Sequence, residues 1–140
     1  MSAREVMAVA RRITVLTGAG VSVESGVLRF RFDAAAFLAS AAVRWAAWES
    51  WLDDPMWTAE PNAAHHALAS LERAGRVRSL LTQNVDGLHQ RAGSTVVELH
   101  GSMARVSCVS CGAASAMRDA LARMRADGVP PDCAACGGVL

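Results

Sequence analysis

The chain contains no tyrosine and no lysine, and it has no long apolar run. All 14 basic residues are therefore arginine, and against 13 acidic residues they leave a net charge of +1 at pH 7. A nearly neutral chain offers no electrostatic basis for binding nucleic acid. A membrane-spanning helix needs about 20 consecutive apolar residues, and no run approaches that length. We therefore predict neither nucleic acid nor a membrane as a partner.

Cysteine is scarce and confined to one pattern. The four cysteines form two Cys-x-x-Cys pairs, Cys108/Cys111 and Cys133/Cys136. The N-terminus lacks the layout of a secretion signal, so we expect a cytoplasmic protein whose paired thiols bind metal in preference to disulfides. Four thiolates complete a closed tetrahedral shell, which predicts a structural zinc site. Two unrelated thiol pairs or a redox pair remain as alternatives.

Polar side chains follow two predicted strands at their carboxyl ends. The apolar run at 80–81 leads into Thr82, Gln83, Asn84 and Asp86, and the run at 96–99 leads into His100. Ligands of parallel α/β sheets sit at the carboxyl ends of the strands. The sequence therefore predicts a crevice lined by amides, a carboxylate and an imidazole that can act as a general base. Taken singly, His100 also fits a structural role, and Asn-x-Asp-Gly also fits a turn.

A third predicted strand, 13–17, runs into Gly18-Ala19-Gly20. Glycines at this place let a backbone approach a phosphate closely. The dinucleotide fingerprint requires a further glycine where Val23 stands, so a plain tight turn remains an alternative.

Helices are predicted over four segments. An apolar stripe at spacings of three and four runs from Asp33, a candidate N-cap, to Leu52, and it indicates either core packing or the wall of a substrate channel. His65 and His66 lie on a helix that ends before Gly75, where we interpret them as structural. The four segments are 3–11, 33–52, 61–73 and 113–126, and the stripe consists of Phe37, Ala41, Trp45, Trp48 and Leu52.

Together these motifs resemble the sirtuins, the NAD-dependent protein deacylases. Residues 18–26 look like their first NAD-binding motif, residues 82–93 match their second, and residues 98–101 look like the motif of the catalytic histidine. Pro61-Asn62-x-x-His65 and the two Cys pairs follow the family's order. The resemblance extends from Ile13 to Leu140.

The resemblance implies an α/β fold with a partial Rossmann-like parallel sheet, a helical insertion and a small zinc-binding module. The implied partial NAD-binding domain comprises residues 1–32 and 76–103. The helical segment is 33–75, and the zinc-binding module is 104–140.

The resemblance also implies NAD-dependent protein lysine deacetylation, which releases nicotinamide and O-acetyl-ADP-ribose from NAD and an acyl-lysine protein or peptide. His100 would be the catalytic base, and zinc and NAD the cofactors. Sirtuins that prefer succinyl or malonyl groups use a tyrosine, so the lack of tyrosine favours acetyl. The implied nicotinamide pocket consists of Asn84, Asp86 and Phe30; the implied phosphate contacts are Gly18, Ala19 and Gly20; and the implied further cofactor residues are Ser22, Arg31 and Gln83.

Three departures from the family pattern lower the expected activity. Leu28, Arg29 and Phe32 replace the family's proline, acidic residue or threonine, and glycine. The flexible cofactor loop that normally follows is missing. The chain stops at Leu140, where the family continues, so we expect a truncated chain or one completed by a C-terminal polypeptide. The alternative function is a catalytically degenerate zinc-containing binding module; a zinc-ribbon nucleic-acid binder is disfavoured by the charge.

Overall fold

A computed structural model describes residues 2–28 and 31–140 of the chain. Residue contacts divide it into two units, Met1–Arg29 with Thr58–Ser102, and Phe30–Trp57 with Met103–Leu140. No helix in the described residues combines the length and apolarity that crossing a membrane requires. The helices are α1 (Ala3–Val9), α2 (Ala34–Ala39), α3 (Ala41–Leu52), α4 (Ala63–Arg73), α5 (Leu88–Arg91) and α6 (Met117–Asp127), with 3-10 helices at Ala19–Ser25 and Pro55–Trp57; the strands are β1 (Ile13–Thr17), β2 (Val77–Thr82), β3 (Val97–Glu98), β4 (Arg105–Ser107) and β5 (Ala114–Ala116).

The first unit is built on a parallel sheet of three strands in the order β1-β2-β3. The β-branched residues of β1 suit a strand, and its register places Thr17 beside Thr82, which in turn pairs with Glu98. The three carboxyl ends therefore lie at one edge of the sheet. Helix α4 packs against β2 and α5, and this arrangement confirms the predicted α/β class with a partial Rossmann-like sheet.

The two faces of this sheet differ in burial. Val77 and Leu80 on β2 are buried in the core of the unit. The register aligns Leu16, Leu81 and Val97 across the three strands, and the first and last of these are exposed. This apolar row is the open face of the sheet within the first unit.

The second unit contains α2, α3, α6 and an antiparallel β4-β5 pair. Helix α3 packs against α6, and the Arg125 guanidinium donates to the carbonyl of Leu52 at the end of α3. Trp48 and Trp51 meet edge to face with ring centroids 5.2 Å apart. These aromatic rings and the buried residues of α6 form the core of this unit.

The single helix predicted over 33–52 is wrong, because Ser40 divides it. Ser40 has extended dihedral angles, φ −129° and ψ 121°, and ends α2 while its hydroxyl accepts from Val43 to begin α3. Asp33 is confirmed as the N-cap of α2, accepting from Ala36 at 3.0 Å. Within α3 the buried side chains are Trp48 and Trp51, whereas Trp45 is exposed, which is contrary to the predicted stripe.

The units also divide the chain differently from the three predicted segments. Residues 33–57 of the predicted helical segment belong with the cysteine-bearing part, whereas α4 belongs with the sheet. The physical reason lies in Asn62, which caps α4 and also bonds to Val21 and Ser25 beside the sheet. Residues 114–116, predicted as helix, form β5 because they pair with β4.

Candidate active site

The candidate site begins at the carboxyl ends of β1 and β2. The Thr17 hydroxyl donates to Thr82 Oγ1 at 2.9 Å, and Thr82 Oγ1 accepts the backbone N–H of Asn84 at 3.0 Å. The backbone N–H of Gln83 donates to the carbonyl of Thr17 at 3.0 Å. The loop after β2 is therefore fixed to the strand ends by its first two residues.

Three predicted cofactor residues form one hydrogen-bonded group, the Ser22–Asn84–Asp86 cluster. The Asn84 side-chain amide donates to the Gly18 carbonyl at 3.2 Å and to Ser22 Oγ at 3.0 Å. The Ser22 hydroxyl then donates to Asp86 Oδ2 at 2.7 Å. Ser22 is 1% exposed. The cluster therefore joins the turn after β1 to the loop after β2 through a buried hydroxyl.

Asp86 is also held from its other side. Its Oδ1 accepts the backbone N–H of Leu88 at 2.9 Å, across Gly87 at φ 72°. This φ favours glycine, and it lets the chain turn directly into α5. The Arg91 guanidinium donates to the Asp86 carbonyl at 3.2 Å and to the Ala59 carbonyl at 2.6 Å. The carboxylate thus has a fixed orientation.

His100 follows β3 and is exposed. Its Nδ1 lies 3.1 Å from the carbonyl oxygen of Gln83. A carbonyl only accepts, so the neutral imidazole carries its proton on Nδ1 and leaves the lone pair of Nε2 available. This tautomer suits a general base. Gln83 contributes to the arrangement through its backbone, whereas its side chain is exposed.

The turn after β1 leaves open space around its glycines. Gly18 is extended, with φ −143° and ψ −170°, and Ala19 and Gly20 enter the 3-10 helix. A Cβ built on Gly18 or Gly20 meets no atom within 4 Å. The chain's own packing therefore does not require glycine at these two positions, and the space fits the close approach of a ligand such as a phosphate.

The remaining predicted cofactor residues are placed less closely. Arg31 is exposed and belongs to the second unit. Phe30 lies outside the described residues, as does Arg29. Their roles stay predictions.

The two Cys pairs form the candidate metal centre in the second unit. Their four Sγ atoms lie within 4.8 Å of one another. Cys108 and Cys136 are 3.6 Å apart, and Cys111 and Cys133 are 3.7 Å apart. Tetrahedral zinc with Zn–S bonds of about 2.3 Å separates its sulfurs by about 3.8 Å. The donor set and its spacing therefore fit one Zn²⁺.

The thiols also differ in acidity. Backbone N–H groups of Cys111 and Ser110 lower the pKa of Cys108 to about 6. The Gly138 backbone acts to lower the pKa of Cys136, but the neighbouring thiols of Cys111 and Cys108 outweigh it and raise that pKa to about 12. Thiolates this close repel one another, so a bound cation is what allows all four to ionise together.

Comparison with known proteins identifies the family. Residues 18–140 match the model of the Sir2 family. The chain belongs to the Sir2 family. It is 41% identical over 155 residues to NAD-dependent protein deacylase 2 of Pyrobaculum aerophilum, covering 100% of this chain and 60% of that protein.

Two solved structures show the same Sir2 architecture. Sir2Tm bound to a propionylated peptide is 35% identical, with a TM-score of 0.86, over 97% of this chain and 59% of that one. A Sir2–p53 peptide–NAD⁺ complex is 34% identical, with a TM-score of 0.83, over 97% and 59% of the two chains. The chain thus spans about three fifths of the length of these relatives.

Two residues that hold the loops of the candidate site in place, Asn62 and Arg91, were not predicted as site residues. Asn62 donates to Val21 O at 2.8 Å, and Arg91 orients the Asp86 loop. The fragment Pro61-Asn62-x-x-His65 could have indicated Asn62, because the fragment is part of the family resemblance, although no role was assigned to it. Arg91 gave a weaker signal, since only the fold brings Ala59 beside it.

Proposed function

We propose that this chain carries the nicotinamide-facing part of an NAD-dependent protein lysine deacetylase that releases nicotinamide and O-acetyl-ADP-ribose. The observation that carries the proposal is the Ser22–Asn84–Asp86 cluster at the ends of β1 and β2, together with His100, whose Nδ1 lies against the Gln83 carbonyl of the same loop. Membership of the Sir2 family supports the same activity. The relative from Pyrobaculum aerophilum is named an NAD-dependent protein deacylase.

NAD, when bound, supplies the electrophilic ribose carbon of the reaction. Asn84 and Asp86 hold the nicotinamide end, because an amide and a carboxylate in fixed orientations match a carboxamide. Gly18, Ala19 and Gly20 face the phosphates, where a Cβ on either glycine would project into open space.

His100 is the general base of the proposed reaction. Donation from Nδ1 to the Gln83 carbonyl leaves the lone pair of Nε2 on the side of the ring away from that carbonyl. Nε2 then accepts a proton from a ribose hydroxyl, and the fixed tautomer keeps this nitrogen ready for it. The Gln83 carbonyl stabilises the imidazolium that forms.

The cysteine cluster holds structural zinc in this proposal. Four thiolates leave no open coordination position, so the ion takes no part in catalysis. The substrate is an acyl-lysine peptide, since the solved relatives contain a propionylated peptide or a p53 peptide. The absence of tyrosine favours a small neutral acyl group.

The test is nicotinamide release by the purified, zinc-loaded chain supplied with NAD and an acetyl-lysine peptide. His100→Ala should lower the rate at least about 100-fold, the scale expected for losing a general base. His66→Ala is the matched control, because His66 is an exposed histidine outside the cluster. Equal rates for the two variants would remove His100 from its role.

A catalytically degenerate binding module is the second candidate. The observation that favours it is the trio Leu28, Arg29 and Phe32, which departs from the family pattern directly after the first motif. Its signature is a folded, zinc-loaded chain that binds an acetylated peptide without releasing nicotinamide. The same assay with a fluorescent acetyl-lysine peptide separates the two functions.

A further inference from the structure

Two histidines that the proposed function does not use are fully buried in the first unit. His65 on α4 is 0% exposed and His89 on α5 is 1% exposed. Their ring centroids lie 4.7 Å apart, with the planes inclined at 59°. One nitrogen of each ring, His65 Nε2 and His89 Nδ1, is buried without a hydrogen-bond partner among the described residues. Buried polar atoms normally have partners, so this pair calls for an explanation.

The other two nitrogens determine which ring carries which proton. The backbone N–H of Asn62 donates to His65 Nδ1 at 3.3 Å, so the proton of neutral His65 lies on Nε2. His89 Nε2 lies 2.9 Å from Thr17 Oγ1, whose single hydrogen is directed to Thr82 Oγ1, with the Leu81 carbonyl at 3.4 Å as its second acceptor. His89 Nε2 is therefore the donor, and its Nδ1 is bare. One unpartnered nitrogen is thus a donor, and the other is an acceptor.

We propose that His65 and His89 form a neutral pair, in which a buried donor on His65 and a buried acceptor on His89 complement each other, and that His89 is a positioning residue for Asn84. The route is short: His89 donates to Thr17, Thr17 donates to Thr82, and Thr82 accepts the backbone N–H of Asn84. Its consequence for catalysis rests on the proposed function, in which Asn84 holds the nicotinamide end.

The pair works only while both rings are neutral. Burial lowers the pKa of His65 below 6.5; Asp86 opposes this, whereas His66 and Arg91 add to it. Burial also lowers the pKa of His89, with His65 adding to the effect and Asp86 opposing it. An additional proton on His89 Nδ1 would place two N–H donors against each other and would break the pair.

The sign of the pH dependence follows from linkage. Histidines of the unfolded chain take up protons near pH 6.5, whereas the buried pair does so only at a lower pH. The stabilising contribution is therefore fully present above about pH 6.5. It is lost as the pH falls from there towards the lowered pKa values of the folded state.

The direct test is ¹⁵N imidazole NMR of the zinc-loaded wild-type chain without other ligands. At pH 7 both rings should be neutral with the proton on Nε2. As the pH is lowered from 6.5, protonation of His89 should shift the backbone amide resonance of Asn84 in parallel. A proton on Nδ1 of His89 at pH 7, a charged ring at pH 7, or an Asn84 amide that ignores His89 protonation would each overturn the proposal. None of these readouts depends on activity, so their failure leaves the proposed function standing.

Variants test the positioning route. His89→Gln keeps an amide donor near Thr17, whereas His89→Leu removes it, and His66→Gln is the exposed control on α4. In NAD titrations at a temperature where all are folded, His89→Leu should weaken binding about three- to tenfold, the range for one lost hydrogen bond. His89→Gln should restore most of this loss, with the Asn84 amide near its wild-type position. Equal weakening of NAD binding in both His89 variants would contradict the hydrogen-bond route from His89 to Asn84. If His89→Leu does not fold, the NMR spectra of the wild-type chain decide whether the proposal holds.

Discussion

Replacing Ser22 by alanine removes the hydroxyl at the centre of the Ser22–Asn84–Asp86 cluster. That hydroxyl donates to Asp86 Oδ2 at 2.7 Å and accepts from the Asn84 amide at 3.0 Å. Each partner keeps one further bond, Asp86 to the Leu88 N–H and Asn84 to the Gly18 carbonyl. The substitution therefore loosens the junction without removing every contact.

The magnitude follows from these two lost bonds. A hydrogen bond to a charged group contributes about 1.5–3 kcal/mol and a neutral one about 1 kcal/mol. Asn84 and Asp86 are only half-buried, so water re-solvates part of what is freed and the lower values apply. Ser22→Ala should therefore lower the free energy of unfolding of the first unit by about 2 kcal/mol, equivalent to about thirtyfold in the unfolding equilibrium.

The assay must report on the first unit. All four tryptophans lie between residues 45 and 57, in the second unit, and there is no tyrosine. Intrinsic fluorescence therefore follows the second unit and serves as an internal reference. Amide hydrogen exchange of β2, such as at Leu80 and Leu81, follows the first unit. Protection there should fall about thirtyfold if exchange proceeds by opening of the whole unit.

Ser79→Ala is the matched control, because it removes an exposed hydroxyl from β2 itself. It should change the protection of neighbouring amides by well under a factor of ten, as surface substitutions usually do. Equal protection in the two variants would refute the reasoning, since it would mean that the buried hydroxyl contributes no more than an exposed one.

Three further predictions concern zinc, NAD and the cap of α4. Elemental analysis should find one Zn²⁺ per chain and less than half an equivalent in Cys111→Ser, and chelation should alter tryptophan fluorescence because α6 packs on α3. Calorimetric titration of NAD into this 140-residue chain should give a Kd in the millimolar range, which corresponds to a binding free energy of about −4 kcal/mol. The reason is that Rossmann-type sites use both halves of a sheet, whereas the described sheet has three strands. A Kd in the low micromolar range would contradict this prediction. Asn62→Ala should cost about 2 kcal/mol in urea unfolding, since it removes the cap of α4 and the bonds to Val21 and Ser25. Asn62→Ser keeps a capping oxygen without placing a carboxylate against the Val21 carbonyl, and it should recover about half of that loss. Full loss in both variants would contradict this division between the capping oxygen and the amide donors.

The sequence predicted those helices and strands whose boundaries are determined by residues close to them in the chain. Strand β1 is β-branched and was found at its full length, and the residues after the carboxyl ends of β2 and β3 were predicted to line one crevice. Asp33 and Gly75 marked the start of one helix and the end of another. Ser40 was missed because alanines on both sides continue the helical pattern, and only the dihedral angles of Ser40 reveal the break.

Features that depend on contacts between residues far apart in the chain could not be predicted from the sequence. Residues 114–116 are alanine-rich and favour helix, yet pairing with β4 makes them a strand. The predicted members of the site were the right residue types, but nothing local shows that Ser22 bridges Asn84 and Asp86 across more than 60 positions. The His65–His89 pair likewise joins two helices whose contact only the fold creates.

The alternation of the chain between two units has a consequence for its synthesis. β1 pairs in parallel with β2, beginning with Ile13 beside Val77, and the intervening residues 30–57 belong to the other unit. At about 5–20 residues per second, a ribosome needs on the order of ten seconds to supply the partner of β1. During that time the backbone N–H and C=O groups of β1 that pair with β2 in the folded chain lack their partners. Non-local pairing of this kind also raises contact order, so we expect refolding of the first unit to be slower than that of a helical protein of equal size.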